Sequence, residues 1–346
     1  MSKLKLLLIG PLPPPLGGAT VLFKLLTEEL AQCSNCEFYV INSNINKSNP
    51  FAIFKLLYMI YAQATKVDVV NLHASYRGIV VLAPFVFLIS RLLNKKLIFR
   101  LFGGDFSQLY RKADIISRFL YDQVLFKADL VLFETQALVR KFSSHGNVRW
   151  FPNHRKITSP PPKIADNMGP LRVIFVSHVR KEKGIFELIE ASKKLPGVCI
   201  DIYGPFFDGL TSEIFEGSSV KYMGIMPQDM VKDELLKYDV MILPSYKEGY
   251  PGVIIEAFIA GLAIVCTNLD TLKEMVTANE EAILVNPKNA DEVVKALSLL
   301  DNDRQLLKKL KNNSLKKSEL YNSQYWVQKY LSYCQEILSG CGEKEN

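Results

Sequence analysis

The chain has 346 residues, of which 49% are hydrophobic and 22% are charged, and its formal net charge is +7. This composition excludes a disordered protein, and the length predicts two domains with separate cores. Six scattered cysteines include one isolated C-x-x-C pair, Cys33 and Cys36, so a zinc site is not expected. No apolar run reaches the roughly 18 residues of a membrane-spanning helix, and residues 4–9 are too short for the core of a signal peptide. We therefore expect a cytoplasmic protein with reduced thiols.

Positive charge is concentrated in the first half of the chain. Residues 1–150 hold 18 Lys and Arg against 9 Asp and Glu, a net of +9, whereas residues 151–346 hold 24 against 26, a net of −2. A basic half indicates an anionic partner such as a membrane surface or a lipid phosphate. The sequence lacks zinc-finger spacing and RRM motifs, so nucleic acid is not expected. The apolar segments 51–62 and 78–90 are interpreted as core helices, with a membrane-dipping face as the alternative.

The first half alternates apolar strands with helical patterns. A strand at residues 3–9, a Pro- and Gly-rich loop at 10–18 and a helix at 19–32 form a corner compatible with phosphate binding. His73 ends a predicted strand and is either a structural residue or one that faces a ligand. Asp105 follows another strand and either binds a hydroxyl or caps the helix after it. That helix is predicted as one amphipathic segment over residues 107–126.

The second half begins after residues 152–170, which contain five prolines and no periodicity and are interpreted as a linker. A strand at 172–177 leads into the loop His178-Val179-Arg180-Lys181-Glu182-Lys183-Gly184 and then into a helix. Three cations in a strand-to-helix loop suit a leaving diphosphate, whose negative charge must be stabilised as its bond breaks. The next strand, residues 198–203, is followed by Gly204.

Residues 239–268, DVMILPSYKEGYPGVIIEAFIAGLAIVCTN, predict a strand, a loop, a helix closed by Gly261 and a further strand. Glu248 lies in the loop and Glu256 in the helix, at the edge of a parallel sheet where ligands bind. Carboxylates accept hydrogen bonds from vicinal hydroxyls, and the helix start offers N–H groups to phosphate. The alternative is an acidic surface loop with a glutamate that only favours the helix dipole. The Asp301-Asn302-Asp303 triplet is interpreted as a helix cap, not as a metal site.

The stretch EGYPGVIIEAFIAGLAIV resembles the E-x7-E signature of the retaining glycosyltransferases of family 4, and a weaker resemblance covers nearly the whole chain. The resemblance implies an α/β GT-B fold, with two doubly wound Rossmann-like domains facing across a cleft. Residues 1–155 would form the acceptor-binding domain, completed by a C-terminal helix at 322–339. Residues 156–170 would be the linker, and residues 171–320 the nucleotide-sugar-binding domain.

The same resemblance implies roles for individual residues. Glu256 would bind the ribose and Glu248 would lie against the donor sugar. Lys183 matches the lysine of an Arg-x4-Lys-Gly phosphate clamp, whereas His178 stands where the arginine is expected and Arg180 follows two residues later. Phe102 also departs from the family, where histidine is usual. The further implied contacts are Tyr250, Gly252, Val253, Gly204 and His178 on the donor side, and Gly17, Gly18, His73 and Asp105 on the acceptor side.

We therefore expect a retaining, metal-independent glycosyltransferase that needs no cofactor. It would move a sugar from a nucleotide-diphospho-sugar to an acceptor hydroxyl, with a lipid-linked glycan of bacterial surface polysaccharide (O-antigen, capsule or exopolysaccharide) as the expected acceptor. The basic first half would attach it peripherally to the inner face of the cell membrane. Two alternatives remain open, a nucleotide-sugar epimerase of the UDP-GlcNAc 2-epimerase type and a non-catalytic GT-B partner protein at the membrane surface.

Overall fold

A computed structural model describes residues 3–15, 17–44, 51–104, 106–157, 160–164 and 169–340. The chain divides into two compact units, unit 1 with Met1–His154 and Ser323–Asn346, and unit 2 with Arg155–Asn322. Each unit has one six-stranded sheet in which every strand pairing is parallel. The predicted α/β class with two doubly wound sheets is confirmed.

The sheet of unit 1 has the strand order β2-β1-β3-β4-β5-β6. Apolar residues fill both of its faces, and β3 and β4 are buried over almost their whole length, as expected of parallel strands covered by helices. The C-terminal helix α13 belongs to this unit and packs on α1. The elements of unit 1 are β1 Leu4–Gly10, α1 Gly18–Leu30, β2 Cys36–Asn42, α2 Ala52–Ala64, β3 Val69–Ser75, α3 Tyr76–Leu92, β4 Lys96–Phe102, α4 Phe106–Lys112, α5 Ile115–Leu120, a π-helical turn Tyr121–Leu125, β5 Leu130–Phe133, α6 Gln136–Lys141, a 3-10 turn Ser143–His145, β6 Val148–Trp150 and α13 Ser323–Ser339.

The single helix predicted over residues 107–126 is wrong. The structure has α4, a break, α5 and the π-helical turn in this segment. Asp114 causes the break, because its extended backbone and its side chain cap α5 by accepting hydrogen bonds from the Ser117 backbone N–H and hydroxyl, each at 2.9 Å. The amphipathic spacing continues across the break, so periodicity alone did not reveal it.

The sheet of unit 2 has the strand order β12-β11-β10-β7-β8-β9. Strands β10, β7 and β8 are therefore neighbours, and the loops that follow them leave from the same edge of the sheet. The elements of unit 2 are β7 Arg172–Val176, a 3-10 turn Lys181–Lys183, α7 Ile185–Lys193, β8 Cys199–Tyr203, a 3-10 turn Ser212–Phe215, β9 Val220–Gly224, α8 Val231–Leu235, β10 Val240–Leu243, α9 Gly252–Ala260, β11 Ala263–Thr267, α10 Asp270–Lys273, β12 Ala282–Val285, α11 Ala290–Asn302, α12 Arg304–Ser318 and a 3-10 turn Glu319–Tyr321.

Helix α9 is buried on most of its surface, with Ile254, Ile255 and Phe258 fully covered, and it packs against α8 and α12. A helix that is apolar nearly all round is stable only inside a core. Gly261 ends α9 in the left-handed conformation, with φ +68, which confirms the predicted C-cap. The N-terminus of α9 is thereby fixed at the carboxyl edge of β10.

Candidate functional site

The site of interest lies in unit 2, where the loops after β7, β8 and β10 meet. Lys183 is in the loop after β7, Gly204 follows β8, and Glu248 is in the loop after β10. These residues are distant in sequence, and the strand order brings their loops together. The arrangement follows the rule that ligands of open parallel sheets bind beyond the carboxyl ends of the strands.

Lys183 and Glu248 form a charged pair within this edge. The Lys183 Nζ lies 2.7 Å from Glu248 Oε1, which also accepts a hydrogen bond from the Ser245 hydroxyl at 2.7 Å. The Glu248 side chain is 8% exposed and that of Lys183 is 22% exposed, so water screens the pair incompletely. Thr271 donates to the Glu248 backbone carbonyl and Thr267 to that of Ser245, which fixes the loop.

Two glycines allow the loops to approach so closely. Gly184 has φ +75, and a Cβ at this position would lie 2.2 Å from the Pro244 carbonyl oxygen. Gly204 has φ +146, and its Cβ would lie 1.8 Å from the carbonyl oxygen of Ser177. Both neighbours are backbone atoms that cannot rotate away, so each position requires glycine. Gly184 thus holds the turn that carries Lys183 directly against the loop after β10.

Glu256 projects from the second turn of α9 and is paired with Arg155. The Arg155 Nε lies 2.8 Å from Glu256 Oε1, and both side chains are less than a fifth exposed. The guanidinium also covers Gly252, where a Cβ would lie 2.1 Å from Arg155 Nη2. Arg155 is itself anchored, because its backbone N–H donates to the Tyr321 carbonyl at 2.9 Å. The arginine therefore orients the carboxylate that the sequence predicted to face a ligand.

A cavity of about 290 Å³ lies beside these residues. Its polar wall includes Lys183 and Glu256, which places one cation and one carboxylate on the same cavity, and its remaining wall is largely apolar. This combination is typical of a small-molecule site. The lining residues are Val176, Ser177, His178, Lys183, Tyr203, Gly204, Pro205, Ile225, Met226, Gln228, Val231, Val253 and Glu256.

His178 lines this cavity and packs against Phe207, with 4.4 Å between the ring centroids. Partial burial lowers the pKa of His178, and the positive charges of Lys183 and Arg180 lower it further. The imidazole is therefore neutral at pH 7. It can donate one hydrogen bond and accept another, but it adds no positive charge to the site.

Of the residues predicted for the donor side, the structure brings His178, Lys183, Gly204, Val253 and Glu256 to the cavity, with Glu248 paired to Lys183 and Gly252 beneath Arg155. Arg180 does not line it, because its guanidinium pairs with Glu182 at 2.9 Å and Asp208 at 3.2 Å. Tyr250 lies in the core instead, and its hydroxyl is 3.2 Å from that of Tyr321.

The residues predicted for the acceptor side belong to unit 1. Gly17 caps α1 and Gly18 begins it, and a Cβ on either would meet no atom within 4 Å. His73 is fully buried in β3 among Phe23, Phe102 and Tyr330. Burial and the charge of Arg100 hold its pKa well below the usual value, so the ring is neutral. Asp105 lies outside the described residues.

Sequence reasoning did not single out Arg155, Ser245 or the side chains Ile225, Met226 and Gln228. For the loop after residues 220–223, the resemblance implied only that it lines the nucleotide base. Arg155 lies beside the predicted linker, where no motif marks it, and its partner is 101 residues away. Among the described residues, no group of three or more His, Cys, Asp and Glu side chains is arranged to hold a metal ion. Asp303 instead caps α12 by accepting a hydrogen bond from the Leu306 N–H at 2.8 Å.

The fold and the cavity define a two-unit α/β protein with a small-molecule site at the strand ends of its second unit. Comparison with known proteins agrees with this description. Residues 158–317 match the family model described as glycosyl transferases group 1. This segment is therefore similar to a group 1 glycosyltransferase domain, and the two parallel α/β units have the GT-B fold.

The relatives align with different shares of the chain. TuaC of Bacillus subtilis, provisionally named a teichuronic acid biosynthesis glycosyltransferase, is 31% identical over 134 residues, or 38% of this chain. The N,N'-diacetylbacillosaminyl-diphospho-undecaprenol alpha-1,3-N-acetylgalactosaminyltransferase of Campylobacter jejuni is 31% identical over 127 residues, or 36% of this chain. The chain spans 33% of the length of each of these relatives. HepE of Anabaena, solved in complex with UDP-glucose, shares the fold at a TM-score of 0.73, with 16% identity over 97% of this chain and 99% of HepE.

Proposed function

We propose that the protein is a retaining glycosyltransferase that moves a sugar from a nucleotide-diphospho-sugar to an acceptor hydroxyl. The observation that carries this proposal is the joint placement of Lys183 and Glu256 on one cavity of the group 1 domain, with Glu248 2.7 Å from Lys183. A nucleotide sugar combines a diphosphate with vicinal hydroxyls. Lys183 can offset part of the diphosphate charge, and the two carboxylates can accept hydrogen bonds from the hydroxyls.

Each part of the donor has a counterpart in unit 2. The diphosphate would bind Lys183, and the ribose diol would bind the Glu256 carboxylate. The base would lie against the apolar wall at Ile225 and Met226. Glu248 would accept hydrogen bonds from the donor sugar, in place of the one it now accepts from Ser245. HepE, which has the same fold, was solved with UDP-glucose, and this agrees with a uridine nucleotide as the first donor to test.

The chemistry proposed for the site places the acceptor proton on the leaving group. The bond between the anomeric carbon and the diphosphate oxygen breaks, the acceptor oxygen forms a bond on the same face, and the departing diphosphate takes the acceptor proton. Lys183 would stabilise the negative charge that develops on the diphosphate. Glu248 accepts hydrogen bonds from Lys183 and Ser245, so we assign it to holding the donor sugar and not to attack on the anomeric carbon. We further propose that Lys183, without a metal ion, provides the positive charge that meets the diphosphate.

We propose that the acceptor is a lipid-linked glycan of a bacterial surface polysaccharide and that unit 1 binds it. The Campylobacter jejuni relative, whose name specifies a diphospho-undecaprenol acceptor, supports this choice. TuaC, with its teichuronic acid name, points to the same kind of product.

The test begins with thermal unfolding of the protein in the presence of UDP, GDP and ADP sugars. A donor that binds the folded state raises the melting temperature by mass action. Transfer of the stabilising sugar to a lipid-diphosphate glycan, with NMR assignment of the new anomeric centre, then tests the reaction. Retention is expected. An inverted product would contradict the retaining mechanism, and an epimerised donor formed without any acceptor would overturn the assignment as a transferase.

A further inference from the structure

Helices α2, α3 and α5 of unit 1 expose an unusual number of large apolar side chains. Helix α3 contacts both of the others, so the three helices form one layer on the sheet. On α3, Val81, Phe85, Leu88 and Leu92 are between 45% and 73% exposed. Their spacing of three to four residues puts them on one stripe of the helix, opposite the side that packs into the core.

The neighbouring helices continue this surface. On α2, Phe54, Tyr58 and Tyr61 follow the same spacing and are between 49% and 72% exposed. On α5, Ile115, Ile116 and Phe119 are between 61% and 89% exposed. Scattered apolar residues on a surface need no explanation, but contiguous stripes on adjacent helices indicate an interaction surface. We call this set of exposed side chains on α2, α3 and α5 the apolar helical face.

The helices of the apolar helical face and the neighbouring α4 carry only positively charged side chains. Helices α2, α3, α4 and α5 contain no Asp or Glu, and they contain six basic residues, Lys55, Arg77, Arg91, Arg111, Lys112 and Arg118. Three acidic residues lie next to these helices: Asp129 before β5 pairs with Arg91, Asp114 caps α5, and Asp122 in the following π-helical turn accepts a hydrogen bond from the Tyr110 hydroxyl. Lys55 and Arg77 lie on the exposed sides of α2 and α3. An apolar stripe on helices whose own charged side chains are all basic complements an anionic surface.

We propose that the apolar helical face docks on a bilayer that contains anionic lipid. Exposed Phe and Tyr side chains together with Lys and Arg are the composition of elements that lie in the membrane interface. Protein interfaces, in contrast, are depleted of lysine. Among the described residues no helix combines the length and the hydropathy needed to cross a membrane, so the helices would lie along the surface. This proposal does not use the cavity of unit 2, and its test is independent of the proposed reaction.

Vesicle flotation of the full chain tests the proposal, with phosphatidylcholine vesicles compared with vesicles of phosphatidylcholine and phosphatidylglycerol. The protein is expected to float with the anionic vesicles and to be released at high salt. Lys55→Ala and Arg77→Ala should each weaken binding about fivefold at low salt, because one basic residue near an anionic surface contributes about a factor of five. Phe54→Ser combined with Leu88→Ser should weaken it at least tenfold.

Leu299→Ser is the matched control, because Leu299 is a similarly exposed leucine on α11 of unit 2. It should float like the unaltered protein. All variants should keep their melting temperature, since the substituted side chains are exposed. Absence of flotation with anionic vesicles, or flotation that the Phe54 and Leu88 changes leave intact, would overturn the proposal. Dimers that these two changes dissociate, without vesicle binding, would identify a second copy of the chain as the occupant instead.

Discussion

Lys183 is the counterion of Glu248 and, in the proposed function, the ligand of the diphosphate. A single and a double substitution separate these two roles. Lys183→Met keeps the volume of the side chain and removes its charge. The lost hydrogen bond joins two charged groups at 2.7 Å, with Glu248 8% exposed. Such bonds contribute about 1.5–3 kcal/mol, and the partial exposure of Lys183 brings the expected loss to about 2 kcal/mol. In a unit of this size the melting temperature should fall by roughly 4–8 °C.

Glu248→Gln in the same background removes the carboxylate that Lys183→Met leaves without its counterion. The double variant should therefore recover at least half of the lost free energy of unfolding, because no uncompensated charge remains in the site. It should not recover the binding of nucleoside diphosphate, because the cation that meets the phosphates is still absent. For the transfer reaction we expect kcat/KM to fall about 10²–10³-fold in both variants.

Urea unfolding and titration calorimetry with UDP measure the two properties on the same samples. Glu248→Gln alone is the control for changes at the loop after β10. If the double variant regains nucleotide affinity together with stability, Lys183 acts only through Glu248 and does not contact the diphosphate. If Lys183→Met changes neither property, the pair contributes to neither, and the reasoning fails.

Four further predictions concern single residues. Arg155→Leu should weaken UDP binding about tenfold, because Arg155 orients the Glu256 carboxylate that would bind the ribose. Binding of 2′,3′-dideoxy-UDP, which lacks the ribose hydroxyls, should be unchanged. Equal losses for both nucleotides in calorimetry would contradict this role. Arg180→Ala should change kcat/KM less than about threefold, because exposed ion pairs already occupy its guanidinium; a loss as large as that of Lys183→Met would place Arg180 on the diphosphate. Gly184→Ala should lower the free energy of unfolding by about 2–3 kcal/mol, because the new Cβ strains the backbone and clashes with Pro244. Gly197→Ala is the control: its Cβ would meet no atom within 4 Å, so the free energy of unfolding should change by less than about 0.5 kcal/mol. His73 and His178 have pKa values in the folded state that lie below that of an unfolded histidine, so the unfolded state binds more protons. The urea midpoint should therefore fall as the pH drops below about 6.5. His178→Asn should reduce that fall, and an unchanged pH dependence would show that His178 does not contribute.

Local signals in the sequence were sufficient for the strand, loop and helix that carry Glu248 and Glu256. Apolar runs bounded by Pro244 and Gly261 predicted β10, α9 and β11, and the left-handed φ of Gly261 confirms the helix end. These predictions rest on interactions between residues close in sequence, and tertiary packing does not override them here. The parallel pairing followed from the alternation of strands and helices.

Side-chain contacts between distant segments were not accessible in the same way. Arg155 reaches Glu256 across 101 positions, and only the folded chain shows that its guanidinium occupies the space above Gly252. Tyr250 lies in a loop with two functional neighbours, yet its ring turns into the core towards Tyr321. The direction of a loop side chain depends on φ and ψ values that composition does not determine.

The exposed stripes of α2 and α3 illustrate a further limit. Their apolar composition predicted helices, and the structure confirms helices at both segments. Composition did not tell which apolar residues would be covered, because Leu56 and Ile60 are buried whereas Tyr58 and Tyr61 are exposed on the same helix. Burial is set by which face meets the sheet and α3.

Titration calorimetry of the full chain with UDP, GDP and ADP, repeated with Glu256→Gln and Lys183→Met, tests whether the cavity of unit 2 binds a nucleotide sugar. We expect that at least one nucleoside diphosphate binds at a single site and that each substitution weakens binding tenfold or more. If none of the three nucleotides binds, or if one binds with the same affinity to both variants, the cavity of unit 2 is not a nucleotide-sugar site.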